Sequence, residues 1–406
     1  MIPVRVGFAL GRLVPLRAHV VLATQRRTEL SGNLLYIQQE LRRRTPAIPS
    51  KVLAYRTASG IVGRAAAAWQ AARAGYHLAT ARVFVVDDWF FPMDVISPRT
   101  GTYRVQTWHG AGAFKKVGYS VIDKSFGADE KLIRTVRIHC NYDLCLTSSE
   151  RTTDHYMEAF RLPRQRFTSA LGLPRTDLFF DDRLRSRATE ALRRRYLLPP
   201  NRRILLYAPT YRGDSVTAAR HDEQLDLHAL HDALSGEWVI LLRPHPFVRR
   251  GPSLPSELVG FVIDASDWPD INELMLVSDL LVTDFSSAIF EYALLNRPMA
   301  FFAPDWDAYE RDRGFYIDFW SEVPGPVFEE TTALAAYLQS GLFPVQRVVD
   351  FAREWFDVAD GHASERFVDK VVLPALRGQS PHVSAVASAA PTSDETAPAR
   401  SACSSA

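Results

Sequence analysis

Hydrophobic residues in this chain come in short dense runs separated by amphipathic stretches, and the two patterns alternate. Ala18–Thr24 (AHVVLAT) is a β-branched run, and Gly32–Leu41 carries apolar residues at helical spacing. Lys51–Tyr55 reads as a second strand and the Ala-rich stretch Val62–Ala74 as a helix. Ala81–Val86 (ARVFVV), Arg104–Thr107 and Leu144–Thr147 follow as strands, with a helix from Arg151. Strands spaced by helices of this length make βαβ units and a parallel sheet.

The pattern restarts after a very basic helix, Arg183–Tyr196, which ends before Pro199–Pro200. Arg203–Tyr207 (RILLY), Trp238–Leu242 (WVILL), Leu280–Thr283 (LLVT) and Met299–Phe302 (MAFF) are apolar almost throughout. Such runs mark strands covered on both faces. The fold expected is therefore α/β, with two Rossmann-like domains facing a central cleft: residues 1–185, then 186–375. Residues 376–406 are expected to form a disordered tail. From Ser380 they are mostly Ala, Ser, Pro and Thr without periodicity, and bury too little to offset ordering entropy.

Composition narrows the class. A 406-residue chain that is 47% hydrophobic and 23% charged is long enough for two globular cores. Lys+Arg 48 against Asp+Glu 46 leaves +2, so no nucleic-acid partner is expected. Arginines crowd the first residues (Arg5, Arg12, Arg17) among Phe8, Leu10, Leu13 and Leu16. That mixture suits an anionic lipid surface, and equally a solvated helix face. No run reaches the ~20 apolar residues of a membrane span, and the arginines interrupt any signal-peptide core; a cytoplasmic location is expected. Cys140, Cys145 and Cys403 cannot build a disulfide framework, and Cys140 and Cys145, whose spacing fits no common zinc site, read as buried small hydrophobes.

Candidate chemistry gathers at strand ends, where open α/β sheets bind ligands. YRVQTWHG (Tyr103–Gly110) runs into AGAFKKVG and puts His109 at a strand end, with Lys115 and Lys116 beyond. Gly110 and Gly112 allow close backbone approach, and histidine moves protons near neutral pH. YAPTYRGD places Pro209 and Thr210 at the next strand end. LLRPHP places Arg243 and His245 at the one after, and arginine pairs bidentately with phosphate. DLLVTDFSSAIFEY (Asp279–Tyr292) ends a buried strand at a helix start, where Ser286 and Ser287 suit capping and the helix amides suit a pyrophosphate. Glu291, one turn in, suits ribose hydroxyls. Asp305/Asp307 and Asp87/Asp88 read as loop carboxylates, so no metal site is expected.

These motifs resemble the CDP-glycerol glycerophosphotransferases of wall teichoic acid synthesis. The resemblance is carried by QTWHG (Gln106–Gly110), KKVG (Lys115–Gly118), GLPRTD (Gly172–Asp177), YAPTYR (Tyr207–Arg212) and RPHP (Arg243–Pro246). It continues through VSDLLVTDFSSAIFEYALLNRP (Val277–Pro298), RGFYIDF (Arg313–Phe319), PGPV (Pro324–Val327) and DGHASERFVD (Asp360–Asp369), covering roughly residues 100–372. It implies a GT-B architecture, a peripheral enzyme on the cytoplasmic face of the cell membrane, and no metal or other cofactor. By the same resemblance His109 and His245 are catalytic. Donor contacts are implied for Gly110, Ala111, Gly112, Ala113, Arg175, Pro209, Thr210, Arg243, Pro244, Ser286, Ser287 and Glu291. Two departures bear on acceptor and donor choice. AGAFKK follows WHG where the family has a loop close to TPLKK, one residue shorter, and Glu291 stands where the family often has Asp.

The reaction expected is transfer of glycerol phosphate from CDP-glycerol, or a related CDP-polyol, to a lipid-linked teichoic-acid-type acceptor, with release of CMP. His109 would be the general base. Arg243, His245 and the Ser286–Ser287 helix terminus would hold the pyrophosphate, with Arg175 a second clamp. The rivals are a ribitol-phosphate transferase on the same scaffold, a GT-B glycosyltransferase making a capsular polysaccharide, and a membrane-docked scaffold without turnover.

Overall fold

Two six-stranded sheets, parallel throughout, organise the chain. They are seen in a computed structural model that describes residues 1–55, 60–122, 124, 133, 135–213, 220, 224–248, 254–381 and 383. The first sheet holds β1 (Arg17–Thr24), β2 (Ser50–Ala54), β3 (Ala81–Val86), β4 (Tyr103–Gln106), β5 (Leu144–Leu146) and β6 (Phe167–Thr168), in the order β2-β1-β3-β4-β5-β6. The second holds β7 (Arg203–Ala208), β8 (Trp238–Leu242), β9 (Val262–Asp264), β10 (Leu280–Thr283), β11 (Met299–Phe302) and β12 (Val327–Phe328), in the order β12-β11-β10-β7-β8-β9.

Strand order reverses between β1 and β3 in the first sheet and between β7 and β10 in the second. Those are the switch points at which doubly wound sheets open a crevice. The expected strands are all present. The three that the pattern does not reveal, β6, β9 and β12, have two or three residues each and lie at sheet edges.

Alternation along the second sheet divides its side chains between two cores. Leu205, Tyr207, Ile240, Leu242, Leu280 and Val282 pack on one face. Ile204, Leu206, Val239, Leu241 and Leu281 join a core continuous with Val20–Ala23 and Val83–Val86 of the first sheet. Helix Ala363–Phe367 and the turns after it fall inside the span expected for the second domain. They pack instead on the first: Asp177 accepts from Ala363 N and Ser364 N at 2.8 Å each, and Arg44 pairs with Asp369 at 2.7 Å. Among residues 376–406, only 376–381 and 383 are described.

The helix Ile2–Arg12 lies against Gly60–Thr80 with its backbone in contact. A Cβ on Gly7 would stand 1.9 Å from Ala72 O, and one on Gly75 2.0 Å from Val4 O. Phe8, expected on the lipid-facing set, is instead buried in the core, because it shares the helix face of Val4, Gly7 and Gly11. Leu16 is half-buried. Cys145 is buried in β5 and Cys140 is half-buried beside Asp94; Cys403 lies outside the described residues. Among the described residues no helix is long and apolar enough to cross a membrane.

Candidate active site

A cleft of about 740 Å³ lies between the carboxyl ends of the two sheets, within the size range of small-molecule sites. From the first domain, His109 enters it on a turn that the sequence builds tightly. Trp108 adopts a left-handed backbone (φ 56°). Its N–H donates to Gln106 Oε1 at 2.8 Å, and Asn33 Nδ2 donates to the carbonyls of Thr107 and Trp108 at 2.9 Å each. The Trp108 ring sits on Tyr156 and Phe160, and the His109 ring leans on it at 4.6 Å. Trp108 therefore anchors the turn and His109, a third exposed, is left at the cleft surface. Burial, then the Arg26 guanidinium, pulls the His109 pKa down to about 3, with Asp88 opposing. The imidazole is neutral at pH 7 and can accept a proton.

The next residues face elsewhere than expected. Ala111 and Ala113 are buried in the core, and the cleft is lined at this strand end by Trp108 and His109. Gly110 lies beside Ser287, while a Cβ on Gly112 would stand 2.4 Å from the Phe290 ring. These positions join the domains rather than present side chains to a ligand. Lys115 is likewise drawn away, donating to Tyr309 O–H at 2.6 Å.

In the second domain, Pro209 and Thr210 follow β7 and line the cleft. The Thr210 hydroxyl, expected to face a ligand, instead donates to Asp284 Oδ2 at 2.8 Å, and its N–H to Asp284 Oδ1 at 2.8 Å. Arg212 then binds Asp305 through two nitrogens, at 2.6 and 2.9 Å, and Asp284 at 2.9 Å. Asp305 is thus held in an ion pair, and no group of three possible metal ligands occurs among the described residues.

After β8, Arg243 is buried, donates to Ser266 O, and has its Nε without a partner. His245 Nδ1 accepts from Phe247 N at 3.2 Å, so its proton sits on Nε2. The ring packs between Tyr211 and Phe247. Burial, then the Lys115 charge, lowers its pKa to about 3. It is a neutral hydrogen-bond donor.

After β10, Ser286 Oγ accepts from Ala288 N at 3.2 Å and caps the short helix Ala288–Ala293; Ser287, expected to cap as well, makes no side-chain cap. Glu291 is buried, and its carboxylate pairs with Arg175 Nε at 3.0 Å. Burial raises the Glu291 pKa against the pull of Arg175. Arg175 also donates to the His109 carbonyl, and its own N–H goes to Asn33 Oδ1 at 2.9 Å. Of the residues proposed from sequence, His109, Arg175, Pro209, Thr210, Arg243, Pro244, His245, Ser286, Ser287 and Glu291 share this one cleft.

Sequence reasoning passed over the β1–β3 switch point. Arg26, Arg27 and Ser31–Asn33 enter from the loop after β1, and Asp87 from the end of β3. Asp87 is buried and desolvation raises its pKa to about 6, while Asp88 pairs with Arg26 at 2.9 Å. Pro269–Asn272, after β9, line the opposite wall. The signal available was positional: the strand-end rule applied to β1, where TQRRTELSGN begins.

The family model for CDP-glycerol:poly(glycerophosphate) glycerophosphotransferase matches residues 8–373. A teichoic acid ribitol-phosphate primase of Bacillus spizizenii is 35% identical over 363 residues, covering 89% of this chain and 92% of that protein. The teichoic acid glycerol-phosphate primase of the same organism is 30% identical, covering 74% and 76%. The fold is shared with the wall teichoic acid polymerase TagF, at a TM-score of 0.74 and 23% identity over 91% of this chain and 93% of that one. The matched span runs from the first helix to the last turns that pack on the first domain, so it includes both walls of the cleft. The chain belongs to the CDP-glycerol:poly(glycerophosphate) glycerophosphotransferase family, whose members are transferases.

Proposed function

We propose that the protein transfers glycerol phosphate from CDP-glycerol to a growing teichoic-acid-type polymer. The acceptor hydroxyl attacks the β-phosphorus of the donor. Its proton passes to His109, the new P–O bond forms as the bond to the α-phosphate oxygen breaks, and CMP leaves. The observation that carries this reading is one cleft with a neutral histidine from the first domain facing Arg243, neutral His245 and the Ser286–Ala288 amides from the second. Phosphoryl transfer needs in-line positioning and donors for the spreading charge more than covalent help. Arg243, with a buried unpartnered Nε, is suited to a phosphate oxygen.

Ribitol phosphate is a second reading of the donor, favoured by the 35% identity to ribitol-phosphate enzymes. We further propose that the acceptor is lipid-linked and that the enzyme works at the cytoplasmic membrane face. No metal enters the reading, because Asp305 is paired with Arg212 and Asp88 with Arg26. The test is a donor panel of CDP-glycerol, CDP-ribitol and nucleotide sugars, scored for nucleotide release with and without excess EDTA. CMP release from a CDP-polyol, undiminished by EDTA, is expected. Release from sugar donors alone would overturn the polyol-phosphate transfer reading in favour of a glycosyltransferase. Loss in EDTA restored by Mg²⁺ would overturn the metal-free one.

A further inference from the structure

The side of His109 turned away from the cleft carries an arrangement that the mechanism above does not use. Nδ1 is buried and has no hydrogen-bond partner. The polar atom facing it is Asp88 Oδ1, at 3.8 Å, longer than a hydrogen bond and within reach of a small change in side-chain torsion, as is common for catalytic groups before substrate binds. Asp88 is itself held in place. Its Oδ2 accepts from Arg26 Nη1 at 2.9 Å and its Oδ1 from Trp89 N at 2.7 Å.

One side chain sets the backbone of both partners. Gln106 Nε2 donates to the Asp88 carbonyl at 3.0 Å while its Oε1 receives Trp108 N at 2.8 Å. Gln106 is fully buried and also donates to Tyr142 O–H at 3.0 Å. The Asp88 carboxylate can only accept. The cations near the ring, Arg26 and Arg175, are engaged with Asp88 and with Glu291 respectively.

A neutral imidazole has one N–H and one lone pair, and the partner of one nitrogen decides the state of the other. We propose that Asp88 is a positioning residue: it holds His109 with the proton on Nδ1 and so presents the lone pair of Nε2 to the acceptor hydroxyl. With the opposite tautomer an N–H would point at that hydroxyl and no proton could be accepted. This rests on His109 being the base, and it assigns Asp88 a role besides neutralising Arg26. The logic is that of a base oriented by a buried carboxylate, where loss of the orienting charge with geometry intact costs turnover through the wrong tautomer.

The test is ¹⁵N NMR of histidine-labelled protein at pH 7.5, with the His109 signals identified by their absence in His109→Gln. Wild type should show protonated Nδ1 and bare Nε2. Asp88→Asn, which retains an oxygen for Trp89 N, should show a mixture or Nε2–H. It should also lower kcat for CMP release by roughly 10²–10⁴-fold while KM for CDP-glycerol changes less than about twofold. Asp88→Glu should restore the wild-type tautomer and part of the rate. Wild-type His109 carrying its proton on Nε2, or Asp88→Asn altering neither tautomer nor kcat, would overturn the proposal. If no CDP-polyol supports CMP release, the donor reading fails, while the tautomer measurement still decides the role of Asp88.

Discussion

Burial lowers the basicity of both His109 and His245 to about 3, so both imidazoles are neutral at pH 7, and what separates them is which nitrogen is free. The Phe247 N–H occupies Nδ1 of His245 and leaves Nε2–H to donate to a phosphate oxygen. Nδ1 of His109 faces Asp88 and leaves Nε2 to accept a proton. His109→Ala and His245→Ala should each lower turnover by about two orders of magnitude or more, with far-UV circular dichroism and melting temperature near wild type. Folded variants that release CMP at wild-type rates would remove both assignments. A third histidine affects stability rather than catalysis. His77 is buried against His19, and burial followed by Lys51 lowers its pKa to about 4. Between pH 6.5 and about 4 the unfolded chain takes up a proton that the folded chain refuses, so stability is lost as pH falls through that window. In urea unfolding, His77→Gln should close on wild type, or pass it, by up to about 3 kcal/mol between pH 7 and pH 4. A constant difference would show that His77 does not titrate this way. The strand-end histidines were legible from WHG and RPHP, because residue type and position agreed. Asp88 was not, because a carboxylate in VVDDW has the same sequence signature whether it binds solvent, an arginine or a histidine.

At the scale of elements, the dense apolar runs located the strands that carry the site except β9, which leads into the Pro269–Asn272 wall. β1, β3, β7, β8 and β10 are buried on both faces and so carry a pattern; the edge strands β6, β9 and β12 are too short to carry one. Close helix contact is written differently, in glycines whose meaning appears only when the partner is seen. Gly7 and Gly11 lie on the face of Ile2–Arg12 that meets Gly75 of Gly60–Thr80, and the Gly75 position stands against the Val4 carbonyl. Backbone cannot give way as a side-chain tip can. Gly75→Ala should therefore part these helices and cost about 1–3 kcal/mol, the usual range for overpacking. Hydrogen exchange should rise across residues 2–12 first, with the second sheet unchanged. Wild-type protection of residues 2–12 in Gly75→Ala would show that the contact is not confining. The Arg212–Asp284–Asp305 ion pair was equally hidden. It links the ends of β7 and β10 to the residue before helix Trp306–Arg313, a convergence that no spacing along the chain encodes.

Over the whole molecule the two domains are joined by direct side-chain and backbone contacts. Phe114 from the first packs on Phe315 and Phe290 of the second, Tyr316 N donates to Phe114 O at 2.9 Å, and Lys116 N to Gly314 O at 3.1 Å. The proposed lipid-linked acceptor would require the molecule to be placed at the bilayer. The surface suited to that is the outer face of helix Ile2–Arg12. Ile2 (77% exposed), Val6, Leu10 and, just past the helix, Leu13 (81%) recur at helical spacing along it, Trp69 (66%) is exposed on the neighbouring helix, and Arg5, Arg12 and Arg17 are exposed on the same segment. Val4 and Phe8 already hold the opposite face to the protein, so the outer apolar stripe is not needed for folding. An amphipathic helix of this kind lies in the plane of the headgroups. Each arginine near an anionic leaflet adds about 1 kcal/mol, and that attraction weakens as salt shortens the Debye length. The protein should pellet with anionic vesicles at low salt, less at high salt, and much less with neutral vesicles. Changing Arg5, Arg12 and Arg17 to Gln should remove the preference for anionic lipid, and Leu10→Ser with Leu13→Ser should remove the part that survives salt. CMP release with a soluble acceptor analogue should survive both sets, since none of these residues lines the cleft. Equal pelleting with neutral and anionic vesicles, or no effect of either set, would move the docking surface elsewhere, first to the arginine-rich helix Asp182–Tyr196. There, however, Arg194 and Arg195 are already paired with Glu190 and Asp267, so fewer free charges remain to meet a lipid surface.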